Sequence, residues 1–255
     1  MKRLLIAAFL LPALALAGCG SGSDQGGGKH TTLTVLAAAS LTDAFKEAKC
    51  AYQKDHPGTT VRFSFAGSQT LAAQVREGSP ADVIATADRK TMRGIGKYVR
   101  HPKPFATNRL AIAVRKGNPK HIETLSDLSR KDLKVILAGP SVPAGNYARE
   151  ILDRAHVTVH PKSEPTDVRQ VLTLVRLGEA DAGMVYATDI ADAGGPKVQA
   201  VAIPAKQNLI ATYPAAAIKD SDHPDAAKAF TRWLHTPQAL HILKKHGFDA
   251  PPGNG

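Results

Sequence analysis

Short apolar runs alternate with stretches of helical periodicity along most of this chain, and that alternation restricts its fold more than any other feature. Leu33 to Ala39, Thr60 to Ala66, Ala81 to Ala87, Leu110 to Val114, Lys134 to Ala138, Ala182 to Tyr186 and Val198 to Ile203 read as strands. Between them, Leu41 to Asp55, Thr70 to Glu77, Gly145 to Ala155 and Thr166 to Leu177 read as helices. The βαβα order is that of an α/β protein, a parallel sheet with helical cover. Two closing segments, His223 to Leu234 and Pro237 to His246, start at caps or prolines and alternate apolar with charged positions, as packed surface helices do. No internal repeat is present.

The amino terminus reads differently. Lys2 and Arg3 precede an apolar run from Leu4 to Ala17, too short to span a bilayer comfortably and typical of a secretion signal. It ends in Leu16-Ala17-Gly18-Cys19, where small residues admit a peptidase and Cys19 offers a thiol for lipid attachment, as in a bacterial lipobox. Gly20 to Gly28 can bury nothing and reads as a flexible tether. Residues 1–18 are therefore expected to be a signal peptide, and residues 19–30 a lipidated cysteine with its tether. An ordinary cleaved signal with a chance cysteine is the competing reading.

Removing 18 of the 255 residues leaves 237, enough for one large or two medium domains. No later segment reads as membrane-spanning. With Cys19 acylated, Cys50 has no intrachain partner, so packing alone must stabilise the fold, and helical phasing turns Cys50 away from the apolar stripe of Leu41, Phe45, Ala48 and Tyr52. The formal charge of +11, falling to +9 without Lys2 and Arg3, raises a nucleic-acid reading. Dispersed basic residues and only 5% aromatics count against it. The positive field can steer an anion or serve solubility, and solubility carries more weight.

Open α/β sheets bind ligands at the carboxyl ends of their strands, and five such places contain suggestive residues. The strand through Ala39 runs into Ser40 at a helix start, where a hydroxyl and backbone amides can converge on an anion, although Ser40 or Thr42 could equally cap the helix. Phe63 to Leu71 repeats the arrangement around Ser68. A nucleophile elbow would want glycine two residues either side of that serine, where Ala66 and Thr70 stand, and no phosphate-cradling loop ending in Gly-Lys-Ser or Gly-Lys-Thr occurs. Gly139 to Ala148 opens a third helix, Asp167 to Gln170 a fourth, and a fifth segment ends its strand in Tyr186. Helix starts and hydroxyls suffice to solvate a dianion without a lysine or arginine.

Taken in order, AAASLTDAF (37–45), FSFAGSQTLAAQV (63–75), PADVIATAD (80–88), VPAGNYA (142–148) and ADAGMVYATD (180–189) resemble the molybdate-binding component of bacterial ABC transporters, over about Thr32 to Phe248. The resemblance implies a two-lobed, type II periplasmic-binding-protein-like fold, each lobe a mixed sheet flanked by helices. Residues 31–109 with 212–255 would form lobe one and 110–211 lobe two. It implies an oxyanion site in which Ser40, Ser68 and Tyr186 offer hydroxyls while Ala144 and Val168 offer backbone amides. Plain helix-start packing for Ala144 and Val168, and a core position for Tyr186, are the alternatives at those positions.

On this reading the ligand is molybdate or tungstate, which the sequence does not rank, and molybdenum enters only within the bound oxyanion. No cofactor, catalytic residue or other metal site is expected. His241 and His246, five apart on one helix, diverge, and Trp233 is expected in the core. Partners are an ABC permease and ATPase, the membrane is reached only through the lipid anchor, nucleic acid is excluded, and the chain is expected to be a monomer. It would sit at the outer face of the cytoplasmic membrane or in the periplasm. A receptor for sulfate, thiosulfate or another oxyanion is the nearest alternative, and an exported hydrolase using Ser68 the more distant one. Phosphate is disfavoured because its protons want a buried acceptor and none of the five positions is acidic, although Asp43, Asp167 and Asp189 lie close by.

Overall fold

The computed structural model describes residues 30–252, so the signal, Cys19 and the tether through residue 29 lie outside the described residues. The first half of the fold runs β1 (Thr31–Ala38), α1 (Thr42–Asp55), β2 (Thr59–Ala66), α2 (Ser68–Arg76), β3 (Val83–Ala85) and α3 (Arg89–Gly94) into a long β4 (Val99–Arg115). There follow β5 (Val135–Ile136), α4 (Pro143–Arg154), α5 (Val168–Leu177), β6 (Ala182–Tyr186), the single turn α6 (Ala187–Asp189) and β7 (Val198–Ala202). The chain closes with β8 (Ile210–Ile218), α7 (Pro224–Trp233) and α8 (Pro237–Lys245). The strands lie in the order β2-β1-β3-β8-β4-β6-β5, with β7 also on β4.

Burial on both faces explains why β1 and β3 read as unbroken apolar runs, whereas the edge strand β2 alternates apolar with polar residues. Successive side chains of a strand point to opposite faces. Leu33, Val35 and Ala37 of β1 join the main core with Val83 and Ala85, whereas Leu36 and Ile84 face a second cluster with Leu71, Met92 and Ile95. The main cluster is sealed by α1 and α7 through an aromatic group, and by Ile242 and Leu243 of α8. Phe45 meets Phe63 at 5.3 Å between ring centroids and Phe230 edge-on at 6.3 Å, and Trp233 stands edge-on to Tyr52 at 5.4 Å. Trp233 is thus a core residue, as expected. Cys50 is exposed and free, also as expected.

The fold is mixed α/β with helices flanking the sheet, but a wholly parallel sheet is not what forms. β1 pairs parallel with β2 and β3, and β5 with β6, whereas β3–β8 and every pairing of β4 are antiparallel. Two long strands were hidden in the sequence by their prolines. The first part of β4 carries Pro102 and Pro104, and β8 carries Pro214 in an alanine-rich run of low strand propensity. Pro104 stands opposite Pro214 beside a register shift, so both missing N–H donors fall at one place in the ladder. The Pro214 carbonyl is still used, by the Thr86 amide at 3.0 Å. The short α3, capped by Asp88 accepting from the Thr91 amide at 2.6 Å, was likewise missed. The expected strand at 134–138 shrinks to Val135–Ile136.

β4 serves both halves of the sheet. Up to Arg109 it pairs with β8, and from Leu110 onward it pairs with β6 and β7. The loop after β6 is pinned back to β4 where Asn108 Nδ2 donates to Thr188 Oγ1 at 2.8 Å.

A second tie joins the halves at the end of α8. His246 Nδ1 lies 2.9 Å from Asp192 Oδ1, and its Nε2 lies 3.1 Å from Glu47 Oε2 on α1. Burial alone would lower the imidazole pKa, but hydrogen bonds to the two carboxylates outweigh it and raise the value. Glu47 is held below its ordinary value by Lys245 and His246. A raised histidine pKa contributes stability that is full below the unfolded value of about 6.5 and lost as pH rises through the folded value. His246→Gln should therefore melt about 2–4 °C below wild type near pH 5.5. Melts at a series of pH values should show that gap closing towards pH 9.

Candidate functional site

Strand ends and helix starts from both halves of the sheet meet at one small cavity that is partly open to solvent. It is lined by Ser40, Ser68, Ala144, Val168 and Tyr186, with Gly67, Ala87, Pro143 and Asp167 among their neighbours. All five residues singled out in the sequence are thus brought together, each less than a twentieth exposed. No lysine or arginine lines the cavity.

The helix starts supply donors because an α-helix leaves its first amides unbonded. In α4 the first ladder bond runs from the Asn146 amide to the Val142 carbonyl at 2.9 Å, and no side chain caps the end. Pro143 has no N–H to leave unbonded, so the amides of Ala144 and Gly145 are the ones that precede the ladder. α2 begins the same way after Gly67, with Thr70 and Leu71 bonding the Gly67 carbonyl and Ser68 and Gln69 ahead of them. In α5, Asp167 caps by accepting from the Gln170 amide at 3.0 Å, and the Val168 amide remains ahead of it. Gln170 Nε2 also donates to the other oxygen of Asp167 at 2.7 Å.

The hydroxyls are held by protein groups in ways that leave hydrogens to donate. Ser68 Oγ accepts from the Ala87 amide at 3.0 Å, so its own hydrogen is free. Ser40, on the single 3-10 turn Ala39–Leu41 between β1 and α1, lies 3.0 Å from the Tyr213 hydroxyl, and either can donate. Burial holds the Tyr213 phenol far above its ordinary pKa, so it keeps its proton; when it donates, the Ser40 hydrogen points elsewhere. Neither Ser40 nor Thr42 caps α1: Thr42 Oγ1 donates to the Ala39 carbonyl at 2.7 Å. Tyr186 is fully buried with a raised pKa of the same origin, and its hydroxyl, near that of Tyr213, makes no well-aligned hydrogen bond among the described residues. A buried hydroxyl left so costs about 1–3 kcal/mol unless something occupies its hydrogen-bonding position.

Residues 33–249 match the family model described as bacterial extracellular solute-binding protein. The molybdate-binding protein ModA of Mycobacterium tuberculosis is 36% identical over 97% of this chain and 97% of its own length. The chain belongs to this ModA-type family of solute-binding proteins. Two solved structures share the fold: the periplasmic molybdate-binding protein of Azotobacter vinelandii (TM-score 0.75, 20% identity, 86% of this chain and 99% of that one) and the sulfate-binding protein SubI of Mycobacterium tuberculosis (TM-score 0.77, 24% identity, 88% of each).

Two residues beside this family's cavity escaped the sequence reading. Tyr213 was missed because β8 was. Arg169 follows Val168 directly, and its Nε donates to Asp189 Oδ1 at 2.6 Å while Asp189 Oδ2 accepts the Tyr186 amide at 3.1 Å. Burial raises the Asp189 pKa to about 6, with Arg169 acting against it, so the carboxylate is mostly ionised near neutral pH.

The α4 end is also placed by sterics. A Cβ at Gly145 would collide with the carbonyl oxygens of Ala138 and Gly139. Arg149 holds the same loop, donating to the Ala138 carbonyl at 2.7 Å and the Gly145 carbonyl at 2.9 Å. Gly145→Ala should therefore destabilise the protein by about 1–3 kcal/mol, whereas Gly94→Ala, in an exposed helix with open space around it, should be neutral or slightly stabilising. Urea unfolding with an unchanged m-value would read both differences.

Proposed function

We propose that this protein is the receptor of an oxyanion importer, binding molybdate, and tungstate with it, in the cavity formed by Ser40, Ser68, Ala144, Val168 and Tyr186. The observation that carries the reading is the convergence of unbonded helix-start amides, two serine hydroxyls and the buried, poorly satisfied Tyr186 hydroxyl on one cavity lined by no cationic side chain among the described residues. Such a set stabilises a fully deprotonated dianion, which accepts from every side and needs no acceptor in return. Molybdate is the oxyanion named for the 36% identical relative. Sulfate is named for a structural neighbour, which makes sulfate the competitor to test.

Ser40 and Ser68 donate hydroxyl hydrogens, Ala144 and Val168 donate amides, and the Tyr186 hydroxyl completes the shell. Residues 31–109 with 212–255 form one lobe and 110–211 the other. The change of β4 partners at Arg109–Leu110 supports a hinge there. Closing the lobes expels water and strengthens each hydrogen bond to the anion, and reopening at the permease and its ATPase releases it. No turnover is involved. The Ser68 hydroxyl engages a backbone amide, and no histidine hydrogen-bonds it among the described residues, which favours binding over hydrolysis. The protein acts as a monomer, exported and tethered to the cell membrane through lipidated Cys19, without a cofactor.

A thermal melt of tether-free protein with molybdate, tungstate, sulfate or phosphate at about 1 mM tests the reading. Micromolar affinity for the native state adds roughly 4 kcal/mol, which is a rise of about 8–16 °C for a chain of this size. Stabilisation by molybdate and tungstate alone supports the proposal, by sulfate alone replaces the ligand, and by none refutes it. Ser40→Ala and Ser68→Ala should each weaken molybdate binding by about 1.5–3 kcal/mol in titration calorimetry, and Ser68→Ala should also lower ligand-free stability by about 1–3 kcal/mol because it strips the buried Ala87 amide of its acceptor.

A further inference from the structure

Arg169 sits where three walls of the cavity can be held by one side chain. It is the residue after Val168, so it shares the α5 start. Its Nε bonds Asp189, which in turn bonds the Tyr186 amide, so the same guanidinium fixes the end of β6. Its Nη1 lies 2.8 Å from Asp43 Oδ2, in the first turn of α1 and three residues beyond Ser40. That last contact is close in distance but skewed from the N–H direction, so it is an ion pair rather than a hydrogen bond. The Arg169 side chain is 18% exposed, that of Asp43 31% and that of Asp189 fully buried, so water screens the group only in part.

The two carboxylates differ in what they join. Arg169 and Asp189 belong to the same proposed lobe, and their pair is internal to it. Asp43 belongs to the other, so the Asp43–Arg169 pair crosses the cleft. One neighbouring contact crosses with it: Gln69 Nε2 donates to the Thr166 carbonyl at 2.7 Å, beside Gly67, where a Cβ would collide with that same oxygen. Backbone and side chains thus meet closely along the cavity rim, and the ion pair is the charged contact at that rim, separate from the His246–Asp192 tie at the end of α8.

Resting on the receptor reading above, we propose that Arg169 is a positioning residue for the oxyanion, and that its ion pair with Asp43 is a catch that keeps the lobes closed over the bound ligand. A catch that forms only on closure slows ligand release and leaves capture unchanged, because the open form has not made it. Removing the Asp43 charge also removes a negative group near a dianion. Electrostatics alone would therefore make Asp43→Asn bind more tightly, whereas loss of the catch makes it bind less tightly, so the two explanations predict opposite signs.

The test follows release of radiolabelled molybdate from wild type and Asp43→Asn into excess unlabelled molybdate, with association rates and ligand-free melting temperatures alongside. The expected result is release accelerated about tenfold, the scale of a partly buried charge pair, with association within about twofold and the ligand-free melting temperature within about 2 °C. Release at or below the wild-type rate overturns the proposal. Faster release with a comparable loss of ligand-free stability also overturns it, by making the pair merely structural. A wild-type protein that retains no molybdate overturns the receptor reading and the catch with it, whereas retention by both proteins at one rate overturns the catch alone.

Discussion

The architecture depends on β4 pairing along its whole length. A strand of 17 residues that gives its first part to β8 and its second to β6 and β7 makes one framework out of two sheet halves. The cavity draws Ser40 and Ser68 from one side of that change of partner and Ala144, Val168 and Tyr186 from the other. Donors can therefore face one another across a small gap without any single helix carrying more than part of the site. One core cluster runs through both halves and takes in residues of α1, α4 and α5, so the elements that carry the donors share the same packing.

Unbonded amides at helix starts are an obligatory consequence of the helix, and proteins normally meet them with caps or water. Here α2 and α4 begin without a side-chain cap, their N-cap positions being Gly67 and Val142. α5 is capped, but through the Gln170 amide, which leaves Val168 free. The hydroxyl orientations follow the same logic. Ala87 and Tyr213 engage Ser68 and Ser40 from behind, so both serines are aimed by the protein rather than by the ligand. Preorganised donors pay little ordering entropy when an anion arrives.

How much of this was legible in the sequence depended on where each residue's information lay. Strands with apolar residues on both faces and helices with a clear stripe announced themselves, and Ser40, Ser68 and Tyr186 could be read at strand ends because their side chains are chemically distinctive. Ala144 and Val168 are proposed to act through amides that any residue possesses, so only the resemblance pointed to them. β8 could not be read, since Pro214 argues against a central strand unless Pro104 is known to stand opposite it. Tyr213 was lost with it. Arg169 was not singled out, because the carboxylates it joins are 126 residues before it and 20 after it.

That separation bears on how a cavity without cations can still sit in a favourable field. Asp189 is fully buried close to where a dianion would lie, and unaccompanied it would repel the ligand or take up a proton. Arg169 offsets Asp189 and partly offsets Asp43, and in doing so spends its own charge outside the cavity. The oxyanion then meets oriented dipoles rather than a salt bridge. Dipoles reward correct placement of every oxygen, whereas a lone cation would attract any anion of either size or protonation state, so under the proposed function discrimination among oxyanions would rest on geometry that the Arg169 group maintains.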